Sequence, residues 1–158
     1  MELHDFLRSR RSTRRFTGEE IDPKVIDRIL ETTSCAPSAH NSQPWRFAVL
    51  KTELTKKKIA ENMAEVFESD LSQEGLSADE IHKRITRSKE RITNSPVVVV
   101  LCMDETDLDK YPDNRRQAAE SIMGIQSTAM AGLQLLLAAH AEGLGAVWTC
   151  GPLFAPEA

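Results

Sequence analysis

An α+β fold, with helices packed around one small sheet, follows from three features of the sequence. Short apolar runs, "RFAVLK", "PVVVVLC" and "AVWTCG", read as three strands, and helical patterns separate them. A long apolar helical stretch precedes the last run. At 158 residues the chain can bury one core and is short of two, so a single domain over residues 1–158 is expected.

Asp22 followed by Pro23 is a helix N-cap with proline at the first helical position, and Val25, Ile26, Ile29 and Leu30 recur at helical spacing until about Cys35. Pro37 and Pro44 then break regular structure in "CAPSAHNSQPW", and "RFAVLK" follows as a strand. From Glu53 to about Ile92 the pattern is charged and helical, with "SADE" from Ser77 to Glu80 fitting a capping box and Ile81 and Ile85 on one face. The β-branched run in "PVVVVLC", Pro96 to Cys102, reads as a strand covered on both faces at the centre of the sheet. Beyond it, Ile122, Ile125, Ala129, Leu133, Leu136 and Leu137 form an apolar stripe on a long core helix that Gly143 and Gly145 stop. After the strand "AVWTCG", Pro156 and Glu157 are a pair that opens helices. A sheet of three strands has exposed edges to cover, so a missing C-terminal segment, a partner chain, or both are expected.

Hydrophobic residues make up 41% and charged residues 28%, which excludes wholesale disorder. The run "MAGLQLLLAAHAEGLGAVW" is interrupted by Gln134, His140 and Glu142 and reads as a buried helix, so no membrane association is expected. The N-terminus lacks the apolar core of a secretory signal, and the three cysteines are odd in number and far apart; a cytoplasmic setting follows. Cys35, Cys102 and Cys150 show no C-x-x-C spacing, and His4, His40, His82 and His140 show no H-E-x-x-H pattern, so no metal is expected from linear motifs. Cys35 and Cys150 are expected as buried packing, and Trp45 and Trp148 as core aromatics.

Against this background one stretch is out of character. "RSRRSTRRFT" puts five arginines into the eight positions Arg8 to Arg15 of a chain with a formal net charge of −4. A solvated basic face is the plain reading. Nucleic acid fits poorly, because the overall balance is acidic, aromatics are only 5%, and no stacking platform accompanies the cluster. Bidentate capture of a phosphate fits better, since Ser12 and Thr13 add hydroxyl donors beside Arg10, Arg11 and Arg14.

Two further polar segments complete the pattern. In "APSAHNSQPW", Ser38, Asn41 and Gln43 offer a hydroxyl and two amides within a proline-bounded loop that could equally be a plain helix-to-strand connection. In "AEGLGA", two glycines let backbone approach a flat ligand, or simply cap the helix.

Taken in this order, "RRSTRRF", "APSAHNSQPWRF" and "AAHAEGLGAVW" resemble the nitroreductase superfamily of FMN-dependent flavoproteins, over essentially the whole chain. Within it, "DLSQEGLS", "KERITNSPVVVV" and "KYPDNRRQAAES" look most like the flavin-reductase domain associated with deazaflavin coenzyme γ-glutamyl ligases. The resemblance implies a mostly antiparallel central sheet flanked by helices, with a C-terminal strand missing from this chain. It also implies an FMN-dependent oxidoreductase that passes hydride from NAD(P)H to a nitroaromatic, a quinone or a deazaflavin precursor. A flavin-binding module without turnover is the alternative.

By position, the resemblance assigns Arg10, Arg11, Ser12 and Thr13 to the FMN phosphate and Arg14 to the pyrimidine edge of the ring. Pro37, Ser38, Asn41 and Gln43 match the lining of the ring and ribityl chain, and Gly143, Leu144 and Gly145 match backbone near the reactive ring nitrogen. Asp70 matches an acidic residue on the substrate side. The family's site lies across a homodimer interface. No catalytic side chain is required, because the flavin carries the redox chemistry while a cation near the pyrimidine stabilises the charge that reduction places there.

Overall fold

A computed structural model of the chain describes residues 2–156. Its contacts group into two compact units. The first comprises Met1–Ser12, Ile21–Ala48 and Val99–Val147; the second comprises Thr13–Glu20, Val49–Val98 and Trp148–Ala158.

Helix α1, Leu3–Ser9, opens the first unit, and α2, Pro23–Ser34, follows. The Asp22 carboxylate accepts the Lys24 N–H and Pro23 occupies the first turn, so the start read from the sequence is the observed one. After a 3₁₀ turn at Ala39–Asn41 comes strand β1, Trp45–Leu50. Strand β2, Val98–Met103, pairs with it. The Asp104 N–H donates to Pro44 O at 2.7 Å, tying the end of β2 to the start of β1, so the strands run antiparallel.

Helix α5, Asn114–Ala141, is the longest element, and Asp113 caps it by accepting the Arg116 N–H. It packs on α2. Beside Glu120, its buried residues include Gly124, Ser127, Ala131, Gly132, Ala138 and Ala139, a face of small side chains that allows close approach. Ile29, Ala138 and Ala139 form one core cluster with Val25, Leu135, Leu144 and Ala146; Ala36, Trp45 and Ala131 form another with Phe47 and Leu101. By length and composition α5 could also cross a membrane, although its small-residue face is already engaged in this packing.

In the second unit α3, Glu53–Gln73, pairs with α4, Ala78–Thr93. The predicted capping box is present, with Ser77 accepting the Glu80 N–H and the Glu80 carboxylate accepting the Ser77 N–H. The far end of α4 is capped from α3: Lys56, 6% exposed, donates from Nζ to Ser95 O at 2.6 Å and Thr93 O at 3.4 Å. A short helix, α6 at Gly151–Phe154, packs on α3.

Several expectations are corrected. The "AVWTCG" run is no strand: Ala146 makes one parallel bridge with Ser12, and beyond it the Trp148 indole N–H turns back to Cys150 Sγ at 3.0 Å. β2 is one of a pair and is half-buried along most of its length, so it is not a central strand covered on both faces. Ile122, Ile125 and Leu133 are 55%, 58% and 54% exposed, because α5 turns its small residues inward and its branched ones outward. Cys35 and Cys150 are exposed, as is Trp148, whereas Trp45 is buried as expected. Glu157 lies outside the described residues.

Candidate functional site

The helix-to-turn junction after α5 is built by local rules. Gly143 has φ +76°, a conformation that favours glycine, and its N–H donates to His140 O at 3.1 Å while the Leu144 N–H donates to Ala139 O at 2.9 Å. This is a Schellman closure, completed by Leu144 packing on the Ile29 cluster. The N–H groups of Gly143 and Leu144 therefore close the helix; Gly145 takes no part in that closure. Just before it, the Arg28 guanidinium grips Glu142 with Nε–Oε1 at 3.0 Å and Nη2–Oε2 at 2.7 Å. That fork, more than their mutual charge, holds the Glu142 carboxyl below its usual range and raises Arg28.

The Ser12–Ala146 bridge lays the arginine segment directly beside this turn. Ser9 Oγ and His140 Nε2 share a 2.8 Å hydrogen bond, and Phe6 stacks on His140 with centroids 4.8 Å apart, fastening α1 to the same helix end. Arg11 is exposed, and its Nη1 donates to the carbonyls of Arg8 and Arg10 at the end of α1. Arg10 differs. Its Nη1 is buried and has no hydrogen-bond partner.

The loop before β1 is held in an unusual backbone shape. His40, Asn41 and Gln43 have φ of 53°, 53° and 46°, a region His and Asn tolerate better than Gln, and each costs about 1 kcal/mol or more. Two hydroxyls hold it: Ser38 Oγ accepts the Gln43 N–H at 3.0 Å, and Ser127 Oγ of α5 accepts the Ala39 N–H at 3.1 Å. The Gln43 amide reaches back to Ser34 O at 3.5 Å. Pro37, Asn41 and Gln43 stay exposed, while the Ser42 hydroxyl is buried without a partner. Such strain is kept where the surroundings over-determine it, and it concentrates at ligand sites.

Of the sequence-predicted residues, the first unit holds Arg10, Arg11, Ser12, Pro37, Ser38, Asn41, Gln43, Gly143, Leu144 and Gly145. Thr13, Arg14 and Asp70 belong to the second. There Arg14 lines a cleft of about 300 Å³ with Arg91, Ser88, Met63, Phe67, Trp148 and Phe154 among its walls. Asp70 is exposed near the end of α3 and does not line that cleft. Sequence reading missed Arg91, and it missed Glu120 and Ser127 of α5. Polar residues inside an otherwise apolar helix were the signal for the latter two.

The helices around a two-stranded antiparallel pair, with the Ser12–Ala146 bridge beside a glycine turn and a strained polar loop, make an α+β fold. The chain belongs to the Nitroreductase family, matched over residues 7–156. A Methanothermobacter thermautotrophicus protein, provisionally named an NADH dehydrogenase/NAD(P)H nitroreductase, is 30% identical over 149 residues. Those residues are 94% of this chain, which spans 61% of that relative's length. Among solved structures, the BluB-like flavoprotein from Clostridium difficile 630 superposes with a TM-score of 0.74 at 24% identity, covering 99% of this chain and 78% of that one. An iodotyrosine deiodinase bound to FMN and 3-iodo-L-tyrosine superposes with a TM-score of 0.68 at 25% identity, covering 94% and 74%. The helix-rich fold with its small antiparallel sheet is thus nitroreductase-like.

Proposed function

We propose that this chain is a cytoplasmic FMN-binding oxidoreductase domain that works as a homodimer with NAD(P)H as electron donor. The observation that carries the reading is the buried, unpartnered Nη1 of Arg10, two residues before Ser12, whose bridge to Ala146 lays this segment of backbone beside the Gly143–Gly145 turn. A guanidinium in that state suits a phosphate, which would satisfy it with a charge-assisted hydrogen bond. The residues present therefore fit FMN. Bound FMN would supply two-electron transfer between the nicotinamide and the acceptor.

The chain's own residues hold and orient. Arg10 and Ser12 bind the phosphate, with Thr13 beside them, whereas Arg11 serves the end of α1. Ser38 fixes the loop so that Asn41 and Gln43 present amides to the ring and ribityl chain. Gly145 offers the backbone N–H of its segment, since Gly143 and Leu144 spend theirs on the helix.

Homodimerisation is supported by the outward apolar face of α5, at Ile122, Ile125, Met130 and Leu133, and by exposed Leu3 and Leu7 of α1. Nitroaromatics, quinones and deazaflavin precursors are the acceptor classes, the last from the likeness to ligase-associated reductase domains.

The test is the visible spectrum of the purified protein after desalting, with and without added FMN. Retained flavin bands are expected, bleached anaerobically by NADH or NADPH, with Arg10→Lys weakening FMN by about tenfold or more through loss of the planar fork. A protein that fails to retain FMN overturns the assignment. Retained flavin that neither nicotinamide bleaches would instead mark a binding module without turnover.

A further inference from the structure

At the strained loop, three side chains distant in sequence converge. His40 sits in the loop itself, Asp109 lies between β2 and α5, and Glu120 belongs to α5. One ligand atom from each lies within 4.8 Å of the others. Glu120 is 1% exposed, and its Oε2 is buried with no hydrogen-bond partner.

A buried carboxylate oxygen without a donor calls for positive charge. Its other oxygen, Oε1, accepts the Asp109 N–H at 3.3 Å, so the Asp109 turn is already tied to this side chain. The loop is tied to α5 as well, through the Ala39 N–H on Ser127 Oγ, one residue before His40. Both ligand-bearing segments are therefore held against α5 by backbone N–H groups, which leaves the His40 ring and the Asp109 carboxylate out of those contacts.

We propose that His40, Asp109 and Glu120 form a divalent metal site that clamps the 38–43 loop onto α5. Two carboxylates and a neutral imidazole balance a 2+ charge, and one imidazole with two carboxylates is a donor set that Zn²⁺ accepts, with water as its fourth ligand. At bond lengths of about 2.0–2.2 Å the ligand atoms must close to about 3.4 Å apart. Glu120 is fixed by burial, whereas His40 and Asp109 are exposed and free to swing in. No linear motif announces this site, because its ligands meet only after folding; it departs from the expectation that the chain binds no metal.

None of the three ligands is assigned to the flavin, and the test needs no flavin. Zn²⁺ is titrated into the metal-stripped full chain by calorimetry, with melting temperature followed in parallel. Cys35, Cys102 and Cys150 are free and exposed and can take zinc themselves, so the quantity read is the difference between wild type and variants that keep all three. His40→Asn is the primary variant, because position 40 is exposed and asparagine tolerates its left-handed backbone. Wild type should bind one equivalent of Zn²⁺ more than His40→Asn, or bind it about tenfold or more tightly, and zinc should raise its melting temperature further. Glu120→Gln, of the same shape, should lose the same equivalent if it folds. Equal stoichiometry, affinity and melting shift in wild type and His40→Asn would overturn the site, as would no zinc binding by either.

Discussion

The α3–α4 pair and the loop from Pro37 to Gln43 obey opposite rules. In the helical pair each local requirement is met: Thr52 and Ser77 cap the two N-termini, Glu80 closes the box, and Lys56 caps the end of α4. In the loop, three residues other than glycine take positive φ, and the Ser42 hydroxyl is buried unpaired. Segments under selection for stability alone settle into satisfied geometry. Segments that violate local rules persist where the violation positions something else. The difference separates scaffold from site more sharply than composition does, since both segments are polar.

Substitutions in each segment test this contrast. The largest effect is expected at Lys56→Met, which strands the Ser95 and Thr93 carbonyls and should cost about 2–3 kcal/mol in urea unfolding without changing FMN retention. Flavin loss in that variant at temperatures where it is folded would mean the helical pair is not mere scaffold. Ser77→Ala removes the cap of α4 and should cost about 1 kcal/mol, again measured by urea.

Asn41→Gly tests the other side. Glycine accepts φ of 53° freely, so stability should stay within about 0.5 kcal/mol while FMN binding weakens several-fold through loss of the amide. A destabilised variant that binds FMN normally would make the loop structural after all. The smallest effect belongs to the Arg28–Glu142 fork. Because the folded-state pKa of Glu142 is depressed, its contribution is present above the unfolded value of about 4.3 and fades as pH falls through the lower folded value. The gap in urea midpoint between wild type and Glu142→Gln should accordingly be widest near neutrality and shrink in acid. A gap independent of pH would show that the fork acts through packing alone.

Much of the scaffold was legible because its signals are local. Asp22–Pro23, the Ser77–Glu80 box and the Gly143 stop each act within a turn of their own position, and the structure keeps all three. The second segment was legible as a polar, proline-bounded loop, although nothing in it announced three positive φ angles. The last strand was misread because Val147 and Trp148 have strand propensity but no neighbouring strand to pair with beyond the single Ser12–Ala146 bridge. The apolar stripe of α5 was seen correctly and assigned to the wrong side: periodicity gives the face and not its direction. Gly124 and Ala131 pack where bulk would not fit, as the 2.8 Å from a Cβ at position 124 to Leu108 indicates.

The sequence was enough for where α2 and α4 begin and where α5 stops, for which segments carry guanidinium, amide and glycine chemistry, and for the family to which their order belongs. Those properties depend on residues within a turn of one another or on their linear order. Only packing decided that Ile122, Ile125 and Leu133 face outward, that Arg10 Nη1 is buried without a partner, and that His40, Asp109 and Glu120 meet. Each of these depends on which distant segments exclude water from a side chain, and that is settled only when the chain has packed.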